Sequence, residues 1–158
     1  MSLVQPIFGY WMVDVDQMTV GSTVSDVQFW GVIDTGTSII TCPPLVCDPI
    51  IAKINVTADC SNLASLPPIT FTINKVPYTL TANQYVVKLP ATEADIALFE
   101  SGRGDEVVYE CQLGVQSFDV GIPQLWILGD TFIRAFSTIF NKGNNTLAFA
   151  TAAGDPAL

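Results

Sequence analysis

The sequence predicts a mostly-β domain carrying two or three small helices. Three observations lead there. Short segments rich in β-branched and aromatic residues recur between Gly, Pro and Asn turn signals. One of them, Thr70-Phe71-Thr72-Ile73, alternates polar and apolar residues as a half-buried strand does. The chain is also 49% hydrophobic but only 13% charged, too apolar for disorder and too poor in charge for a helical bundle.

Strands are expected at 10–15, 28–33, 69–73, 78–80, 85–89, 107–113, 125–128, 137–140 and 146–150, each a run of strand formers bounded by turn residues. Asn74-Lys75-Val76-Pro77 and the stretch 141–145 read as hairpin connections. Pro43-Pro44 opens a helix expected to reach about Lys53, because proline is tolerated in a first turn. A second helix is expected over 91–99, with Thr92 as cap and Gly102 as stop. Asp130 reads as the cap of one or two helical turns within 130–136. At 158 residues, with no internal repeat and no linker, the chain fits one domain.

Composition removes several functions. A net charge of -9 with six basic residues argues against nucleic acid and anionic membrane surfaces as partners. No apolar run approaches the length needed to span a bilayer. The chain has no histidine, so imidazole-based triads and metal sites are excluded, and acid–base chemistry falls to carboxylates. No metal and no cofactor is expected. Four cysteines, Cys42, Cys47, Cys60 and Cys111, allow three pairings and fit no zinc spacing. Two sequons, at Asn55 and Asn144, join them in favouring an oxidising, secretory compartment, either secreted or lysosomal/vacuolar. Met1-Ser2-Leu3 reads as a cloning start, and the acidic tail 154–158 as a native end or the edge of an extension.

One carboxylate stands out. Val32-Ile33 precede Asp34, and Thr35-Gly36-Thr37-Ser38 follow. A carboxylate lifted out of a buried strand is costly unless hydrogen-bonded, and Gly36 lets the backbone turn so that amide and hydroxyl donors face it. A plain turn uses the same residues. A second segment, Trp126-Ile127-Leu128-Gly129-Asp130-Thr131-Phe132-Ile133-Arg134, sets apolar strand formers before a glycine and a helix start.

In this order the two segments resemble the second half of a pepsin-like aspartic protease. Val32 to Ser38 matches that family's apolar–apolar–Asp–Thr–Gly–Thr–Ser segment. Trp126 to Arg134 matches its Trp-Ile-Leu-Gly-Asp-x-Phe-Ile-Arg. Tyr10-Trp11, the stretch 66–73 and the closing hairpin 140–149 carry the match over nearly the whole chain.

The resemblance implies a single lobe of the acid-protease fold, a closed, sandwiched β-structure with a ψ-loop. Residues 4–158 would form the C-terminal lobe. Asp34 would be one of two catalytic aspartates that share a proton and activate the water attacking a peptide bond. Thr35, Gly36, Thr37 and Ser38 would form its cradle and touch substrate backbone, and Tyr10 would lie near the primed subsites. Ile127, Leu128 and Gly129 would make the crossing beneath the loop. Cys60 and Cys111 occupy positions bridged in that lobe. Cys42 and Cys47 depart from the pepsin pattern and, being close in sequence, are expected to close a small loop.

Only one Asp-Thr-Gly occurs here. Asp14 and Asp16 lie on an early strand, and no Gly- and Tyr-bearing flap is visible. The chain therefore reads as a fragment, inactive alone. Its expected partners are an N-terminal lobe bearing the second aspartate, a peptide or protein substrate, and other copies through its unpaired apolar face. Two rivals stand beside this reading. One is a pepsin-like module that binds or inhibits without catalysis. The other is a homodimer pairing two Asp34 residues, as in the retroviral proteases.

Overall fold

Val13 and Val15 point inward from one strand while Asp14 between them is exposed, but farther along the same strand the buried residues are Met18 and Val20. The parity of the inward face changes within nine residues. A β-bulge absorbs the change, because the pairing with the neighbouring strand shifts register between Val15 and Gln17. Asp16, the residue at the bulge, accepts the Lys75 N–H at 2.9 Å and so pins the adjacent hairpin. The expected 10–15 segment thus begins at Met12 and continues to Val20.

The structure, a computed structural model, describes residues 2–3, 9–25, 28–102 and 107–153. Met1 and the tail 154–158 lie outside the described residues. The elements in chain order are β1 (Ser2–Leu3), β2 (Met12–Val20), β3 (Thr23–Ser25), β4 (Phe29–Ile33), β5 (Ile40–Cys42), α1 (Pro44–Ile51), a 3-10 turn (Leu63–Ser65), β6 (Ile69–Ile73), β7 (Val76–Leu80), α2 (Ala82–Tyr85), β8 (Val86–Pro90), α3 (Glu93–Glu100), β9 (Tyr109–Leu113), β10 (Val115–Ser117), β11 (Leu125–Leu128), α4 (Asp130–Ile133), β12 (Phe136–Asn141) and β13 (Thr146–Thr151). Strand dominates, and the helices are short.

The main sheet runs in the order β10-β5-β11-β4-β2-β6-β7, with β3 paired to β2. A second sheet, β1-β13-β12, and a ribbon, β8-β9, complete the body. Ile69, Phe71 and Ile73 are buried along β6 with half-buried threonines between them, the period-two pattern of a strand with one wet face. Asn74 and Lys75, both at positive φ (51° and 64°), make a two-residue turn, so Val76 and Pro77 belong to β7 rather than to the connection. Pro77 is tolerated there because β7 is an edge strand and needs no N–H on its free side.

The core centres on Trp126, which stacks on Phe29 at 4.2 Å with Phe71 edge-on at 6.2 Å. Phe71 continues to Phe132 at 5.8 Å, and Phe132 meets Phe136, Phe149 and Tyr78 beneath the second sheet. Burying such rings is a large favourable term in folding.

Two short helical elements, besides the short strands β1, β3, β5 and β10, lie outside the expectations from sequence. Thr81 and Gln84 form a capping box that opens α2, ending at the buried Tyr85, whose hydroxyl donates to the Pro67 carbonyl at 2.7 Å. Burial pushes the Tyr85 phenol up to about 12. The 3-10 turn at Leu63–Ser65 is the other.

Candidate active site

β4 delivers Asp34. Val32 and Ile33 are buried, the Ile33 N–H donates to the Trp11 carbonyl at 2.8 Å, and the Asp34 N–H donates to the Leu128 carbonyl at 3.2 Å. The backbone is therefore anchored up to the carboxylate. Gly36 turns the chain and donates its N–H to Asp34 Oδ1 at 2.9 Å, and the Thr37 hydroxyl donates to Asp34 Oδ2 at 2.7 Å. Among the described residues each oxygen has one donor, which leaves a further lone-pair direction on each. Asp34 is half-buried, while Thr35, Gly36 and Ser38 are exposed around it. The loop presents a fixed carboxylate at an open surface.

The chain then returns along β5, and β11 passes between the two limbs. It is parallel to β4, with Ile127 opposite Val32 and Leu128 opposite Ile33. It is antiparallel to β5, with Leu128 opposite Ile40 and Ile127 opposite Thr41. A strand threaded between the entry and exit of the Asp34 loop is the ψ arrangement. Gly129 follows, and a Cβ there would overlap the carbonyl oxygens of Thr37 and Ile39. Only glycine lets β11 approach the loop this closely.

α4 then grips the loop from below. The Asp130 N–H donates to the Thr37 carbonyl at 2.8 Å, and the Thr131 N–H to the Ser38 carbonyl at 3.2 Å. One expectation needs correction here. Asp130 is not the cap of α4: Gly129, with extended backbone, is the N-cap, and Asp130 is already the first helical residue. Its N–H is directed to Thr37, and the loop's carbonyls take the role a capping side chain would play.

The remaining singled-out residues fall as follows. Tyr10 is 59% exposed and directly precedes Trp11, whose carbonyl holds the end of β4 that carries Asp34. Asp14 pairs with Trp30 at the other end of β4, about 13 Å along the strand from Asp34. Cys42 and Cys47 are bonded, tying β5 to α1, and both are fully buried. Cys60 and Cys111 are bonded, tying the turn before the 3-10 element to β9. Asn55 and Asn144 are exposed. Among the described residues, no cluster of three or more metal-ligating side chains is present.

Sequence reasoning passed over Thr131 and Gly114. Thr131 is fully buried and donates its hydroxyl to the Ser38 carbonyl at 3.2 Å; Gly114 accepts the Ile40 N–H at 2.9 Å where β5 begins. The only advance signal was that Thr131 fills the open position of the motif ending in Arg134.

A family model for eukaryotic aspartyl protease matches residues 2–152. The chain belongs to the eukaryotic aspartyl protease family. Its mostly-β body, with few short helices, is a single pepsin-like lobe. The chain is 36% identical to cathepsin E of Aquarana catesbeiana over 154 residues, covering 90% of this chain and 34% of the relative. It is 36% identical to cathepsin E of Mus musculus over 154 residues, again 90% of this chain and 35% of that protein. With pepsin II-1 of Oryctolagus cuniculus it shares 34% identity over 157 residues, 92% of this chain and 36% of the relative. The chain thus spans about a third of the length of the curated relatives it matches.

Proposed function

We propose that this chain is the C-terminal lobe of an aspartic endopeptidase and contributes Asp34 as one of its two catalytic carboxylates. The observation that carries the proposal is the state of that side chain: half-buried, gripped by the Gly36 N–H and the Thr37 hydroxyl, and open on one face. A second carboxylate, brought by an N-terminal lobe, would share a proton with Asp34 and hold the attacking water between the two. As the water adds to the peptide carbonyl, the pair takes up its proton, and one carboxyl then protonates the leaving amine. Thr35, Thr37 and Ser38 at the loop and Tyr10 beside it would line the substrate path, while Ile127, Leu128 and Gly129 support the loop from beneath.

Two disulfides and two exposed sequon asparagines, Asn55 and Asn144, support a secretory or lysosomal/vacuolar route with glycans at those positions. With one aspartate frame per chain, the isolated lobe is inert and self-associates through surface that the other lobe would cover.

The test compares the 158-residue chain with a protein joining it to an N-terminal lobe. Unfolded protein is offered as substrate at about pH 3–5, the range in which carboxyls titrate. The two-lobed protein is expected to cleave it, to be blocked by pepstatin, and to lose at least about 1000-fold in kcat on Asp34→Asn. The lone chain is expected to do nothing. A two-lobed protein whose turnover ignores Asp34→Asn removes the proposal.

A further inference from the structure

We propose that Thr131 is a positioning residue that sets the height of the Asp34 loop, its buried hydroxyl acting as a latch between α4 and Ser38. The inference deepens the reading of Asp34 as a catalytic carboxylate and rests on it. Thr131 has no exposed surface. Its N–H and its hydroxyl both donate to the same acceptor, the Ser38 carbonyl, each at 3.2 Å. The neighbouring Asp130 N–H holds the Thr37 carbonyl at 2.8 Å. Three donors from the first turn of α4 therefore converge on two successive carbonyls, three and four residues after Asp34.

The hydroxyl's setting is built to aim it. A Cβ on Gly114 would lie 2.9 Å from Thr131 Oγ1 and 2.6 Å from the Tyr85 carbonyl, so the glycine leaves the space in which the hydroxyl sits. Gly114 is itself fixed, donating to Tyr85 at 2.7 Å and accepting from Ile40 at 2.9 Å. Ile40 is where the loop ends and β5 begins. Thr131 and Gly114 thus hold the loop's return limb from two sides, while Thr37, at the loop's middle, holds the carboxylate. A carbonyl with two donors cannot rotate away as readily as one with a single donor, and a shift at Ser38 is passed to Thr37 and hence to Asp34 Oδ2. Reactions of this kind lose rate steeply when a reacting group is misplaced by about 1 Å.

Two variants separate the latch from mere packing. Thr131→Val keeps the shape and removes the hydroxyl; Thr131→Ser keeps the hydroxyl and removes a methyl. In the 158-residue chain, amide hydrogen exchange is followed at Gly36, Thr37, Asp130 and Thr131, with Phe71 and Trp126 as core references. Thr131→Val is expected to speed exchange at the four loop-linked amides about tenfold beyond any change in the core, and Thr131→Ser to stay within about twofold of the parent. Should Val crowd Gly114 and disturb folding, Thr131→Ala removes the same hydroxyl with less volume and is expected to give the same pattern. Loop amides that follow the core rates in the variant lacking the hydroxyl overturn the latch, whatever the activity.

In the two-lobed enzyme, Thr131→Val is expected to lower kcat about tenfold with KM within about twofold, and Thr131→Ser to restore it. A loosened loop with kcat unchanged overturns the positioning role. A loosened loop in a two-lobed protein without Asp34-dependent turnover supports the latch and removes the catalytic reading instead.

Discussion

Thr37 donates its hydroxyl to Asp34 Oδ2 at 2.7 Å and offers its carbonyl to the Asp130 N–H at 2.8 Å. One residue therefore ties the carboxylate to the helix beneath it. Thr37→Val keeps the shape and removes only the first bond. A hydrogen bond to a charged group is worth about 1.5–3 kcal/mol, which corresponds to roughly 10- to 100-fold in rate. The expected outcome is a fall of that size in kcat of the two-lobed enzyme, measured by steady-state kinetics. The melting temperature of the 158-residue chain should fall by only a few degrees, as the loss of this one bond requires.

Two glycines in the site differ sharply in what a methyl group would meet. At Gly129 a Cβ would overlap two backbone carbonyls, which cannot move without pulling α4 and β11 off the loop. Gly129→Ala is expected to destabilise the chain by more than about 3 kcal/mol. At Gly36 the nearest atom is Asp34 Oδ1 at 3.3 Å, the end of a side chain. Gly36→Ala is expected to cost about 1 kcal/mol or less. Urea unfolding of the two variants checks the contrast.

The two disulfides close loops of very different length, with sequence separations of 51 and 5. Chain entropy assigns about 4 kcal/mol to the Cys60–Cys111 bridge and about 2 kcal/mol to Cys42–Cys47. Replacing Cys60 and Cys111 together by alanine is expected to lower stability by about twice as much as replacing Cys42 and Cys47, read from denaturant midpoints. The reverse order would show that fixing α1 against the exit strand of the loop outweighs loop closure.

Asp95 gives the lobe a defined acid dependence. The Thr92 hydroxyl, donating to Asp95 Oδ2 at 2.6 Å, and the Val108 N–H, donating to Oδ1 at 3.0 Å, hold the Asp95 carboxyl below its ordinary value of 3.8. The folded state therefore prefers the ionised form, and as pH falls the unfolded chain takes up the proton first. The resulting stability is fully present above about pH 3.8 and is lost as pH drops through the lowered folded value. Asp95→Asn is expected to melt below the parent at pH 7 and 5, with the gap closing below about pH 3.8. Melting curves across that range decide it; a gap that widens in acid contradicts the sign.

Much of the fold was legible because compact runs of strand formers between turn residues declare themselves. Ile69–Ile73 and Leu125–Leu128 carry enough strand formers to fix their bounds in advance. Ile40–Cys42 and Val115–Ser117 did not, because three residues beside serine or glycine carry no period of their own. They are strands because they pair with each other, and Ile40–Cys42 also pairs with β11. The parity change in β2 was equally hidden, since a bulge is defined by the partner's register. At the site, Asp34, Gly36 and Thr37 stood out because their donors lie two and three residues away. Thr131 lies 93 residues from Ser38, and its place between Trp126 and Arg134 gave no sign of that contact.

The sequence by itself determined the family, the β-rich class and the carboxylate with its nearest donors, because each is written in contiguous residues that act on one another within a turn or a strand. Tertiary structure alone decided that β11 passes between the limbs of the Asp34 loop, that Gly129 and not Asp130 caps α4, and that Thr131 closes on Ser38. Those relations join segments about ninety residues apart, and such contacts are chosen by how whole faces pack, which no local pattern encodes.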